Sequence, residues 1–313
     1  MNALPALRIR DAGQFGQVGL LVGGDSAERE VSLDGGAAVA QSLERSGIRF
    51  GIYDGAPALF EAIRAGQVDR VFNLMHGPGG EDGAIQGALQ LMAVPMTGSG
   101  LLGSALTMDK VRSKWLMQRL GIPTTEFELL GADDPDPDTI AGRFGWPVFV
   151  KPAGLGSSIG ITRVESGAGL RDAVALARRY GEEVIVEPAV EGGEYFAGVL
   201  GRTVLPLIRI ETPRAFYDYE AKYQSDETRY YCPSGLEADL EGRLQAQALQ
   251  AFDALHASGW GRVDFILDAQ QQPWILEVNT VPGMTDHSLV PQAAQELGVG
   301  FDELVWRILE TSL

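Results

Sequence analysis

The sequence predicts a mixed α/β and α+β protein: a parallel, doubly wound sheet in the first third, then smaller sheets carrying helices. Three observations support this. Apolar runs alternate with helical patterns through the first hundred or so residues, the layout of βαβ units. The middle section reads as strands around Gly-rich turns. The last third contains an antiparallel-looking pair, "GRVDFILD" and "PWILEVN", followed by helices.

In chain order, "VGLLVGG" (Val18–Gly24) is a buried strand ending in Gly, and a helix runs from about Glu28 to Ser46. "FGIYD", a short helix, "RVFNLMHG" (Arg70–Gly77) and a helix from near Gly83 continue the alternation. Ligands on such sheets bind beyond the C-terminal strand ends, where this chain carries "GGDSAERE" and "HGPGGEDG". "TMDKVRSKWLMQRLG" (Thr107–Gly121) predicts one amphipathic helix with a Gly stop. "PVFVKPAGLGSSIGITRV" predicts strand, Gly-rich turn, strand. "EVIVEPAVEGGEYFAGVLG" adds two strands to the same middle sheet. "TVLPLIRIE" follows, and then a polar, Tyr-rich stretch, Thr212–Gly235, of the length and composition of a functional lid. A helix spans about Glu237–Ser258, ahead of the antiparallel pair.

Composition narrows the class. A chain of 313 residues suits two or three domains. With 25 Lys and Arg against 42 Asp and Glu, the formal charge is −17, which disfavours nucleic acid as a partner. An anionic ligand must then be held by a few local cations. The single Cys232 excludes an internal disulfide and a Cys-based metal site, and fits a reducing compartment. No apolar run reaches the ~18 residues of a membrane span. "MNALPALRIRDAGQFGQ" has too short an apolar stretch for a signal peptide and reads as a short, loosely held extension. Cytoplasm is the expected location.

Several groups carry chemistry. Glu277 and Asn279 stand two apart on the strand "WILEVN" and share a face. If "RVDFILD" pairs with it, Asp264 joins them. Two carboxylates and an amide oxygen suit a hard cation such as Mg²⁺; a solvated edge face fits the same pattern. "KPAGLGSSIG" (Lys151–Gly160) offers Lys, Gly backbone and hydroxyls to a phosphate; a plain hairpin turn fits it too. It is neither a Walker A loop nor a dinucleotide fingerprint, because both need a helix after the glycines. Lys110 could reach the same phosphates or be solvated. His76, at a strand end beside a Gly-rich turn, is a site candidate or a hydrogen-bonded structural residue. Glu28 could bind a substrate ammonium, or it could simply stabilise a helix start that Ser26 caps.

Taken in order, "GGDSAEREVSL", "HGPGGEDGAIQG", "TGSG", "MDKVRSK", "KPAGLGSSIG", "FYDYEAKY", "CPSGLE", "GWGRVDFILD" and "LEVNTVPGMTDHSLVP" resemble the D-alanine–D-alanine ligases of the ATP-grasp family. The resemblance covers about Val18 to Leu309. It implies a Rossmann-like N-terminal domain (1–98) followed by a two-domain ATP-grasp fold, with a central domain (99–197) and a C-terminal domain (198–313) carrying the lid at 212–235. It also implies a homodimer through the N-terminal domain. The implied reaction converts one D-alanine to an acyl phosphate with ATP, and the amine of a second D-alanine then attacks it, giving the dipeptide for cell-wall synthesis.

Residue by residue, the resemblance assigns Asp264, Glu277 and Asn279 to two Mg²⁺ (or Mn²⁺), and Lys110, Lys151, Ser157 and Ser158 to the ATP phosphates. Glu187 and Val190 fall beside adenine and Glu194 on the ribose. Glu28 and His76 match the first D-alanine pocket, Ser288 and Leu289 the second. Arg262 and the Gly283 N–H match oxyanion stabilisers. Tyr223 and Ser157 match hydrogen-bonded partners of Glu28, and Lys222 and Tyr217 belong to the lid. The chain departs from many relatives in having Pro188 and Ala189, where they carry Lys and a bulky aromatic. Tyr223 stands where relatives that make D-alanyl-D-lactate tend to have Phe, which favours the dipeptide product. A ligase for another carboxylate and amine, or a non-catalytic nucleotide binder on the same fold, are the competing readings.

Overall fold

A computed structural model describes residues 4–133, 135–156, 159–213, 227–285 and 287–313. The first sheet holds β1 (Val18–Val22), β2 (Phe50–Asp54) and β3 (Arg70–Asn73), with β1 in the middle and both pairings parallel. Every residue of β1 is buried, as a strand covered on both faces requires. Helices α1 (Arg29–Arg45) and α2 (Ala56–Arg64) make the crossovers. A Cβ on Gly36 would stand 2.4 Å from Val22 Cγ1, so this glycine lets α1 lie against the strand.

Next come α3 (Ala84–Leu91), α4 (Leu101–Met108) and α5 (Lys110–Arg119). The single helix predicted from Thr107 is in fact two. Asp109 is extended, with φ −94° and ψ 101°, and its side chain caps α5 by accepting from the Arg112 N–H at 3.0 Å. The break makes Lys110 the first residue of α5, and its own N–H donates to the Ala153 carbonyl at 2.9 Å.

The second sheet is antiparallel, ordered β4 (Glu128–Leu130), β7 (Val184–Pro188), β5 (Val148–Pro152), β6 (Thr162–Val164). Helices α6 (Pro137–Phe144) and α7 (Leu170–Ala177) cover one face, closing a core of Ile140, Val148, Val150, Val174 and Val186. Strands β5 and β6, which the stretch "KPAGLGSSIG" links, pair antiparallel.

The third sheet runs β11 (Arg229–Tyr231), β10 (Ile208–Glu211), β8 (Gly193–Leu200), β12 (Trp260–Leu267), β13 (Pro273–Asn279), with β9 (Thr203–Val204) folded back on β8. The middle-sheet expectation for "GGEYFAGVLG" is therefore corrected: β8 pairs with β12 along its full length. The reason is packing. Tyr195, Ala197 and Val199 face α8 (Ala238–Ala254), while Phe196 and Leu200 face the core shared with α9 (Leu289–Glu296) and α10 (Phe301–Glu310). A boundary at 197 would cut this strand.

The N-terminal extension is also not loose. Ile9 donates its N–H to Glu310 Oε1 at 2.8 Å, Trp306 Nε1 donates to the Ile9 carbonyl at 3.1 Å, and Arg70 Nε donates to the Phe15 carbonyl at 2.6 Å. Phe15 is fully buried, edge-on to Trp306 at 4.9 Å between ring centres. The extension thus straps α10 to the first sheet. Its short apolar pattern hid this, because the partners lie some 300 residues away. Phe15→Ala should lower the unfolding free energy by about 3–5 kcal/mol, as for other buried aromatics. Urea denaturation checks this, and a loss below about 0.5 kcal/mol, the size of a surface substitution, would show the strap is not held.

Candidate active site

Strands β12 and β13 pair antiparallel with Asp264 directly opposite Glu277 and Arg262 opposite Asn279. The register shifts between Asp264 and Phe265, an extra residue at Leu276 that keeps Ile275 and Val278 both in the core while Leu276 and Glu277 both line the cleft. Like charges directly opposite each other destabilise a sheet, and Asp264 is only 3% exposed. Cations compensate. Arg262 Nε and Nη2 donate to the two oxygens of Asp264 at 2.6 and 2.7 Å. Lys110 Nζ stands 3.5 Å from Glu277 Oε2 and donates to the Leu155 carbonyl at 2.5 Å.

The facing sheet supplies a second charged knot. Lys151 and Glu187 point the same way from β5 and β7 and form an ion pair. The other oxygen of Glu187 accepts from Lys114 Nζ at 2.7 Å and from the Thr125 hydroxyl at 2.8 Å. Lys114, 1% exposed, also donates to the Thr124 and Thr125 hydroxyls at 3.0 and 2.6 Å. Burial opposes ionisation of Glu187, but two lysines outweigh it and hold the carboxyl well below its ordinary range. Burial pulls Lys114 down, and Glu187 opposes that. The sequence reading missed Lys114; its signal was the four-residue spacing from Lys110, which puts both on one face of α5.

Two cavities result. The smaller, about 90 Å³, lies between the second and third sheets and is lined by Lys151, Glu187, Val190, Glu194 and Asp264 among others. The larger, about 460 Å³, opens between the first and third sheets beside the loops after β1 and β3. Glu28, His76, Arg262, Asn279, Gly283, Ser288 and Leu289 line it. Lys110 and Glu277 line both. Every predicted site residue among those described therefore faces one cavity or the other. Ser157, Ser158, Tyr217, Lys222 and Tyr223 lie outside the described residues, as does most of the predicted lid. At its described end, Tyr230 of β11 lines the larger cavity, another residue the sequence did not single out.

In the larger cavity His76 is 4% exposed and its Nδ1 lies 2.7 Å from the Leu74 carbonyl. A carbonyl only accepts, so Nδ1 carries the proton. Burial lowers the His76 pKa, while Glu28 raises it. Glu28 rather than Ser26 is the N-cap residue of α1; the Ser26 hydroxyl accepts from the Glu28 N–H at 3.2 Å just ahead of the helix and donates to the His76 carbonyl at 2.8 Å. Glu81, also unforeseen, accepts from the Gly77 N–H at 2.6 Å. At the far end Ser288 N-caps α9, and its hydroxyl accepts from the Thr285 N–H at 2.9 Å.

A parallel sheet followed by two sheets that close on lysines and carboxylates defines the ATP-grasp class of fold. The comparisons narrow it. The family profile described as D-ala D-ala ligase C-terminus matches residues 116–310, and that described as D-ala D-ala ligase N-terminus matches 55–99. A D-alanine–D-alanine ligase of Nitrosococcus oceani is 52% identical over 97% of this chain and 96% of its own. The crystal structure of a D-alanine–D-alanine ligase from Bacillus anthracis superposes with a TM-score of 0.84 at 31% identity, covering 95% of this chain and 97% of that one. A structure of the B. anthracis enzyme complexed with ATP gives 0.82 at 28% identity, with the same coverage. The chain belongs to the D-alanine–D-alanine ligase family.

Because the folded pKa of Glu187 is depressed, its contribution to stability is full above the unfolded value near 4.3 and fades as pH falls below it. Urea midpoints measured from pH 7 to pH 3 should fall less steeply for Glu187→Gln than for the wild type. Parallel curves would show that the knot does not contribute this way.

Proposed function

We propose that the chain joins two molecules of D-alanine to D-alanyl-D-alanine at the expense of ATP, for peptidoglycan precursor synthesis. The observation that carries this is the shared wall: Lys110 and Glu277 line both cavities, so an amino acid in one meets a phosphate chain in the other.

In this reading the nucleotide lies between the second and third sheets. Its base sits by Val190, its ribose at Glu194 and its phosphates at Lys110 and Lys151. Glu187, with both oxygens engaged, presents Lys151 rather than contacting the base. A volume of about 90 Å³ is smaller than a nucleotide needs, so the two sheets part to admit it. The oxygen donors at Asp264, Glu277 and Asn279 fit a hard divalent cation. They are two opposed carboxylates and an amide on one face, and each carboxylate oxygen engaged by Arg262 keeps a second lone pair. When bound there, Mg²⁺ or Mn²⁺ supplies charge neutralisation for phosphoryl transfer.

The first D-alanine places its ammonium at Glu28 and His76. Its carboxylate oxygen attacks the γ-phosphorus, ADP leaves, and an acyl phosphate forms. The second D-alanine binds its carboxylate at Ser288 and Leu289, where the positive end of α9 favours an anion. Its amine attacks the acyl carbon, losing a proton. The oxyanion faces Arg262 and the Gly283 N–H, and phosphate leaves as the peptide bond closes. Such donors are worth roughly 3–4 kcal/mol each where measured in other enzymes. Tyr223 and the lid would seal the site from water.

The N-terminal, central and C-terminal units remain as proposed, with the second boundary moved to the link between Pro188 and Gly193 so that β8 stays whole. Exposed Leu91 on α3, beside exposed Leu101 and Leu102 at the start of α4 in the central unit, supports a homodimer through the N-terminal unit and its junction with the central one; sedimentation velocity reads it directly. A cytoplasmic location fits the lone, half-buried Cys232. Among the described residues no helix is long and apolar enough to cross a membrane.

Mixing the protein with ATP, Mg²⁺ and D-alanine should release ADP and phosphate, and L-alanine should not replace D-alanine. Folded protein without D-alanine-dependent release would overturn the proposal. Glu277→Gln, which keeps shape but removes a charge facing the phosphates, should abolish turnover by at least about a hundredfold, the size of losing one electrostatic stabiliser. Turnover near the wild-type rate would remove Glu277 from the metal and phosphate site.

A further inference from the structure

The ammonium end of the larger cavity holds a carboxyl that the reaction above does not use. Glu81 lies on the turn after β3, lines the cavity and is 8% exposed; Glu28, at the start of α1, is 6% exposed. Both flank Gly77. Its N–H donates to Glu81 Oε2 at 2.6 Å, and a Cβ placed on it would stand 3.0 Å from Glu28 Oε2. With φ at +72° the position is left-handed as well, so glycine satisfies both constraints.

The third wall is His76, the residue before Gly77. With its proton on Nδ1, the neutral ring offers a lone pair at Nε2. That atom is buried and has no hydrogen-bond partner, an unusual cost for a native interior. Two carboxyls and one imidazole lone pair are all acceptors. A primary ammonium has three N–H donors and one positive charge.

We propose that Glu81 completes, with Glu28 and neutral His76, a three-acceptor seat for the ammonium of the first amino acid. The inference rests on the D-alanine ligase reading and adds a substrate-contacting residue to it. The turn is built to hold Glu81 still: Asn73 Nδ2 and Gln86 Nε2 both donate to the Gly80 carbonyl, at 2.9 and 2.8 Å. Burial, then the nearby charge of Glu28, raises the Glu81 carboxyl well above its ordinary range; Glu277 adds to this, while the Gly77 N–H and Arg262 oppose it.

Glu81→Gln preserves size and an acceptor for Gly77 but removes the charge. It should raise KM for the first D-alanine roughly tenfold or more, the scale of one hydrogen bond to a charged group. KM for ATP and for the second D-alanine should stay within about twofold, the scale of a surface substitution. Retained binding of a non-hydrolysable ATP analogue, measured by calorimetry, shows that the variant is folded. If it is not, Glu81→Asp keeps the charge on a shorter stem, and the same selective rise in the first KM is expected. A first KM unchanged in whichever variant folds, or all three constants rising together, would overturn the seat. Wild-type protein that never turns over D-alanine would instead refute the activity on which it rests.

Discussion

Asp264 and Glu277 face each other across neighbouring strands with one of them buried, and the rest of the cleft is arranged around that unfavourable pair. Each carboxylate needs a cation. Arg262 serves Asp264 from two positions along the same strand, and Lys110 serves Glu277 from α5. The demand for Lys110 in turn fixes the helix. Asp109 caps it, its first N–H docks on the hairpin after β5, and its next turn sends Lys114 into the opposite sheet at Glu187. One helix therefore engages a carboxylate from each of the two sheets that would grip a nucleotide. The helix is thus tied to both sheets by ion pairs that are buried or nearly so, where an unpaired charge is costly.

Much of this was legible in the sequence because it is local. Alternation placed Glu277 and Asn279 on one face, and the strand pair followed from two apolar runs joined by a short turn. The hairpin after β5 followed from its glycines. What sequence reasoning missed depends on distant partners. The bulge at Leu276 leaves no mark in a pattern of mixed apolar residues. Strand β8 reads equally well into either sheet until its two apolar faces find α8 and α9. The strap at Ile9 and Phe15 needs Trp306 and Glu310, at the other end of the chain. Lys114 carried only its four-residue spacing from Lys110, and Glu81 resembles any surface Glu until burial sets it apart.

The distribution of charge explains how an anionic chain could handle an anionic ligand. The formal charge is −17, and among the described residues only five carboxylates and two lysines are buried. Inside the cleft Asp264, Glu277 and Glu187 each have a cation beside them. On the proposed reading, Lys110, Lys151 and Arg262 gather where phosphate would lie, with Lys114 behind them. Glu28 and Glu81 gather where an ammonium would lie. A zwitterionic amino acid in the larger cavity is then oriented by the field before any close contact forms, ammonium toward the loops after β1 and β3, carboxylate toward β12 and β13.

That orientation bears on the chemistry. A carboxylate is a weak nucleophile toward a triphosphate because both are negative, and positioning supplies most of what catalysis needs. Lys110 and Glu277 stand where the two cavities meet. A substrate carboxylate driven there by Glu28 and Glu81 behind it reaches the phosphate chain on the side where Lys110 and Arg262 offset the repulsion. The carboxylates of the first pocket and the cations of the second thus act on the same substrate from opposite ends, and the strand register of Asp264 and Glu277 sets the distance between them.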